Sequence, residues 1–318
     1  MQYKTVTRYL TIGMLPIAMS ACTSFDNMSA EFEEVWENPQ VAVTPETQAL
    51  QPVALTEEEV FALIQEVEAL DPALDCERIQ VVVGRLGTAE TENITAISKA
   101  ATCDYAARDF ASARMRYQEW IALDETADAY AGLGLSYLQG GDLARAETAL
   151  TRATELQPEV SWKVHNGLGY IHDQAEAWDA AQAAYETAGE LAPETGVPAN
   201  NLGMSYMRQE RYGDAISAFS EALSRSPDLH VARLNMRTAF AMTGDLAMAY
   251  SGATDSERAA VLNSTGVAAL AKGDNEEARS LFTQALQHSA VFYPNAYNNL
   301  QRAHLLTERE ASLTDEAG

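Results

Sequence analysis

Basic residues are scarce in this chain: 21 Lys and Arg stand against 46 Asp and Glu in 318 residues, a formal net charge of -25. A chain of that sign repels phosphate backbones and anionic headgroups, which argues against nucleic acid as a partner and leaves membrane contact to a covalent anchor. Histidine is scarce too. The five, His165, His172, His230, His288 and His304, show no metal-ligand spacing, since even His165 and His172 stand two helical turns, roughly 10 Å, apart. There is no Gly-rich phosphate loop, no Gly-x-Ser-x-Gly elbow and no Cys-His pairing. The many carboxylates fall mostly on polar faces and single out no acid/base pair. The expectation is therefore a non-enzymatic chain with no catalytic residue, metal, cofactor or small-molecule substrate.

Cysteine is limited to Cys22, Cys76 and Cys103, and the first of these sits at a boundary. The chain opens MQYKTVTRYLTIGMLPIAMSAC, with Lys4 and Arg8 ahead of a 13-residue apolar run at 9–21. A bilayer span takes about 20 residues, so residues 1–21 read as an export signal. Met19-Ser20-Ala21-Cys22 resembles the lipobox of bacterial lipoproteins, with Met where Leu is usual. The resemblance implies cleavage before Cys22, acylation of its thiol and, with Thr23 rather than Asp next, attachment to the periplasmic face of the outer membrane. Cleavage removes two basic residues and moves the formal charge from -25 to -27.

Residues 22–55, with Pro39, Pro45, Pro52 and acidic clusters but no sustained period, read as a flexible acidic tether, about 110 Å long if fully extended and about 30 Å as a coil. Residues 56–93 read as amino-terminal capping helices. Thr56-Glu57-Glu58-Glu59 is a capping box, followed by the apolar face Val60, Phe61, Ile64, Val67 and Leu70. The run from Cys76 to Val83 suits a strand by propensity, but a lone strand has no partner, which favours a helix or an irregular cap. Cys76 and Cys103 form an even pair in an exported chain. A disulfide between them would stabilise by about 3 to 4 kcal/mol on the chain-entropy account, and two buried free thiols are the alternative.

The rest of the chain is periodic. Leu133-Gly134 recurs as Leu168-Gly169 and Leu202-Gly203; Ala146 recurs as Ala181, Ala215 and Ala249; Pro158 recurs as Pro193 and Pro227. Four residues after the alanine stand Leu150, Tyr185 and Phe219. Weaker copies lie upstream, with Phe110, Ala113, Tyr117 and Trp120, and downstream, with Gly273-Asp274, Ala278, Phe282 and Ala285. Each unit reads as two short amphipathic helices that cannot bury an apolar face alone, so each must stack on its neighbours. One unit departs: after Ala249, Ser251-Gly252-Ala253-Thr254-Asp255 cuts the second helix short. A helix around 296–306 closes the array, and the acidic tail 307–318 is expected to fray.

A period near 34 residues with these offsets resembles the tetratricopeptide repeat. The resemblance implies an all-α fold, a right-handed superhelical solenoid of helix pairs over 94–306, whose first helices line a concave peptide-binding face. By register the candidates on that face are Asn166, Tyr170, Asn200, Asn201, Met204, Met207, Asn235 and Asn263. Asparagine amides bond both groups of an extended backbone, and Tyr and Met give adaptable apolar contact; Asn before Leu-Gly also serves packing in such repeats. The lipoprotein signal, the tether and the segment HVARLNMRTAFAMTGDLAMAYSGATDSERAAVLNSTG, with Asn235, Gly244 and Asn263 fitting and Met236 and Arg237 departing, resemble the tetratricopeptide lipoprotein of the tight-adherence (Tad, or Flp) pilus assembly system. That resemblance implies a scaffold for envelope proteins, among them a pilus secretin. The alternative is a general lipoprotein adaptor that recruits cell-wall hydrolases or outer-membrane assembly proteins.

Overall fold

A computed structural model describes residues 55–87, 93–289, 291 and 293–316, with side chains as far as residue 308. The signal, Cys22 and the tether up to residue 54 lie outside the described residues. Among the described residues, every regular element is an α-helix. They fall in two compact units, 55–232 and 233–316.

The first unit holds α1 (Glu57–Ala69), α2 (Cys76–Leu86), α3 (Ile94–Ala106), α4 (Phe110–Leu123), α5 (Ala127–Gln139), α6 (Leu143–Leu156), α7 (Trp162–Gln174), α8 (Trp178–Leu191), α9 (Val197–Arg208) and α10 (Tyr212–Arg225). The unit boundary falls within α11 (His230–Met242). The second unit continues with α12 (Leu246–Tyr250), α13 (Asp255–Lys272), α14 (Asn275–His288) and α15 (Pro294–Glu316).

The capping box forms as the sequence suggests, with Thr56 Oγ1 accepting from Glu59 N and the Glu59 carboxylate accepting from Thr56 N. The far end of α1 is closed by Lys99 of α3, whose ammonium donates to the carbonyls of Val67, Glu68 and Leu70 at 3.0, 2.8 and 2.5 Å. A cation there also suits the negative end of the helix dipole. The valine-rich run is helical: Ile79, Val82, Val83 and Leu86 follow the 3.6-residue period and are buried with Leu63, Val67 and Ala100. Cys76 and Cys103 are joined in a disulfide, Cα atoms 5.2 Å apart, which ties α2 to α3.

From α3 onward the helices pair, and each pair turns on one residue in the left-handed region. These are Arg108, Gly141, Glu176, Glu210, Gly244 and Gly273, with φ of 63°, 77°, 56°, 57°, 84° and 86°. The aspartates that follow start the second helices: Asp109, Asp142 and Asp245 accept from the backbone N–H of Ser112, Arg145 and Met248. Within a pair the contact is a small residue against a large one sixteen positions on. A Cβ on Gly134, Gly169 or Gly266 would stand 2.6 to 2.7 Å from carbons of Leu150, Tyr185 and Phe282, and one on Gly203 would press on the Phe219 ring. The repeat alanines Ala113, Ala146, Ala181, Ala215, Ala249 and Ala278 are all fully buried. These residues set how close two helices come.

The irregular unit is as short as its sequence suggests. Helix α12 has five residues against 14 in α4, α6, α8, α10 and α14, and Arg237 satisfies its end by donating from Nη1 to the carbonyls of Ala249 and Ser251 at 3.0 and 2.8 Å. The carboxyl-terminal expectation needs correcting. The acidic tail from Thr307 does not fray at once but continues α15 to Glu316, because Glu308, Arg309, Glu310, Ala311 and Leu313 are good helix formers and no Gly or Pro interrupts them before Gly318.

Candidate functional site

The first helices α7 and α9 carry most of the expected binding face. Asn166 and Asn201, 35 positions apart and half-buried, bond each other: Asn201 Nδ2 donates to Asn166 Oδ1 at 2.8 Å, and Asn200 Nδ2 donates to Asn201 Oδ1 at 3.3 Å. In the second unit Asn299 Nδ2 donates to Asn263 Oδ1 at 3.0 Å, from α15 to α13. The amides thus link successive first helices, and each keeps only part of its bonding capacity for a ligand.

Burial narrows the face further. Tyr170 is 42% exposed, whereas Asn200, Met204, Met207, Asn235 and Asn263 are all at or below 9%. Those five were expected to offer groove contact, and the structure buries them. Their register put them on the correct helices, but α9 is walled in on most sides: Ala199, Gly203, Ser205 and Tyr206 are buried with them. Of the expected groove residues in the first unit, Tyr170 beside the Asn166–Asn201 pair stays open to a partner.

Below this face lies a polar knot that sequence patterning does not reveal. Asp173 of α7 is buried, and its carboxylate accepts from Tyr185 Oη of α8 at 3.0 Å and from Ser205 Oγ of α9 at 2.6 Å. Burial pushes the Asp173 carboxyl above its usual range, with the Ser205 and Tyr185 donors pulling the other way. The group ties three helices together. It offers no nucleophile–base pair, because both hydroxyls are spent on the same carboxylate. A comparable junction sits at Asp104 of α3, which accepts from Gln80 Nε2 of α2 at 2.7 Å and from Arg116 Nε of α4 at 2.9 Å. Its carboxyl is raised to about 6, desolvation outweighing the Gln80 bond. His165 Nε2 lies 2.7 Å from the Pro158 carbonyl in the loop before α7. Among the described residues no group of three His, Cys, Asp or Glu is placed to hold a metal, and no helix is long and apolar enough to cross a membrane.

The geometry agrees with comparisons to known proteins. Tetratricopeptide-repeat profiles match residues 99–161, 132–194 and 199–229. Over 99 residues, 31% of this chain and 39% of the relative, the sequence is 32% identical to the type IV pilus assembly protein PilF of Pseudomonas aeruginosa. Over 100 residues it is 35% identical to a TPR repeat-containing protein of the same organism, covering 31% of this chain and 40% of that one. The aligned stretch thus spans about two fifths of either relative. Among solved structures, a tetratricopeptide repeat protein from Parabacteroides merdae superposes with a TM-score of 0.53 at 14% identity, covering 78% of this chain and 99% of that one. The APC/C hetero-tetramer Cut9–Hcn1 gives 0.52 at 17% identity, covering 77% and 48%. At such identities the likeness establishes the fold.

Proposed function

From an all-helical tetratricopeptide solenoid as premise, we propose a non-enzymatic scaffold, anchored through acylated Cys22 to the outer membrane, that binds envelope proteins and assists assembly of a Tad-type pilus secretion apparatus, its secretin included. The observation that carries this reading is the alignment of 99 residues of this chain with a protein named for type IV pilus assembly. The physical support is that such an array offers a long surface built of stacked helix pairs, suited to protein segments. Exposed Tyr170, flanked by the Asn166–Asn201 amides, is the aromatic anchor of that surface. The acidic chain also favours partners with a basic face over nucleic acid.

The test compares secretin multimers in envelopes of cells producing the wild-type chain, Cys22→Ser or Tyr170→Ala, with each level matched by immunoblot. The expected outcome is loss of multimers with Cys22→Ser, partial loss with Tyr170→Ala and an unchanged melting temperature for the latter. Normal multimers in cells that lack the chain altogether would overturn the reading.

A further inference from the structure

Helix α2 turns large apolar side chains toward water at the amino-terminal end of the array. Its inner stripe is buried, but Leu74, just before the helix, is 83% exposed and Val81 is 60% exposed. With Asp75, Glu77 and Arg78 they line an open depression of about 360 Å³. Burying aliphatic side chains of this kind is favourable, and here that gain is left unused.

The charges around the depression are mostly negative. Residues 55–87 hold eight carboxylates against two arginines, and one of the arginines is engaged by α1. Arg78 bonds Glu66 at 3.0 Å. Glu77 remains on the exposed face beside Val81. The disulfide from Cys76, in the first turn of α2, fixes this face against α3, so little ordering remains to be done on binding.

We propose that the outer face of α2 docks a protein segment carrying an apolar pair beside Lys or Arg side chains, the apolar pair covering Leu74 and Val81 and the cations meeting Glu77 and Asp75. This rests on the scaffold reading and names the chemistry of a partner for it. A second copy of the chain is disfavoured, since it would bring the same eight carboxylates against themselves.

The experiment titrates the full mature, oxidised chain with a fluorescein-labelled amphipathic Leu/Lys peptide and with its Leu/Glu counterpart. The Leu/Lys peptide is expected to bind, weakening as salt rises, and the Leu/Glu peptide to fail. The double change Leu74→Asp and Val81→Asp, at exposed positions, should lower affinity at least about tenfold, and Glu77→Lys several-fold, with helix content unchanged. Equal Leu/Lys binding by the double variant would mean diffuse charge attraction and would overturn the proposal. So would equal binding of the Leu/Glu peptide, or a wild-type dimer in sedimentation that Leu74→Asp dissolves. The assay needs no pilus, so a failed secretin experiment with retained α2 docking sinks only the pilus reading, and the converse result sinks only this one.

Discussion

Two buried carboxylates show how single residues hold helices in place at an electrostatic cost. Asp104 gathers Gln80 and Arg116 within hydrogen-bonding distance, yet its carboxyl is raised to about 6 because little water reaches it, and Asp109 nearby adds to the rise. Arg116 sits at 2.9 Å and favours the charged form, while burial pushes its own pKa down. A carboxyl raised on folding binds its proton more tightly in the native state, so its stabilisation is full below the unfolded value near 3.8 and is lost as pH rises through about 6. The expected outcome is that the wild-type urea midpoint falls between about pH 4 and 6 relative to Asp104→Asn, in which this carboxyl is absent. A carboxyl resonance of Asp104 titrating near 4 would show that the Arg116 pair dominates instead. Asp173 is shifted in the same direction, so the difference between the two proteins, rather than the wild-type curve alone, reads Asp104.

At the scale of the helix pair, much was legible in the sequence because it is written in repeated small residues. Leu133-Gly134 and its copies placed the close approaches, the alanines placed the buried seam, and Gly252 after Ala249 announced the five-residue α12. The valine run in α2 was ambiguous by propensity, and stacking against α1 and α3 decided it. Depth was not legible: register assigned Met204 and Met207 to a first-helix face but could not say that α9 is enclosed. Nor was the polar knot, since Asp173, Tyr185 and Ser205 come from three helices with no fixed offset. Aligning the turns does expose an irregularity with a consequence. The position held by a capping aspartate in α4, α6 and α12 is Ala177 at the start of α8, with φ -83° and ψ 66° against -88° and 79° for Asp142, and it makes no side-chain cap. Ala177→Asp should therefore stabilise by about 1 kcal/mol, read as a raised denaturation midpoint with an unchanged slope. An unchanged midpoint would mean that the α8 start is already satisfied by other means.

Across the whole molecule, a stack of helix pairs transmits stability only between neighbours, so its ends are held least. The amino-terminal end is where the chain places its covalent cross-link: Cys76–Cys103 joins α2 to α3, and Lys99, Asp104 and Gln80 add polar ties among α1, α2, α3 and α4. Closing 27 residues by this bond restricts the unfolded chain by about 3 to 4 kcal/mol on the chain-entropy account. Because α5 to α10 pack mainly on one another and not on α2, reduction should be felt locally. Hydrogen exchange followed by mass spectrometry on the oxidised and reduced chain is expected to show faster exchange in peptides from α1 to α3 and no change in peptides from α5 to α10. If exchange quickens equally along residues 55–232, the array unfolds as one cooperative block and the disulfide stabilises all of it. If no peptide responds, the polar ties around Asp104 and Lys99 hold the end without help from the bond.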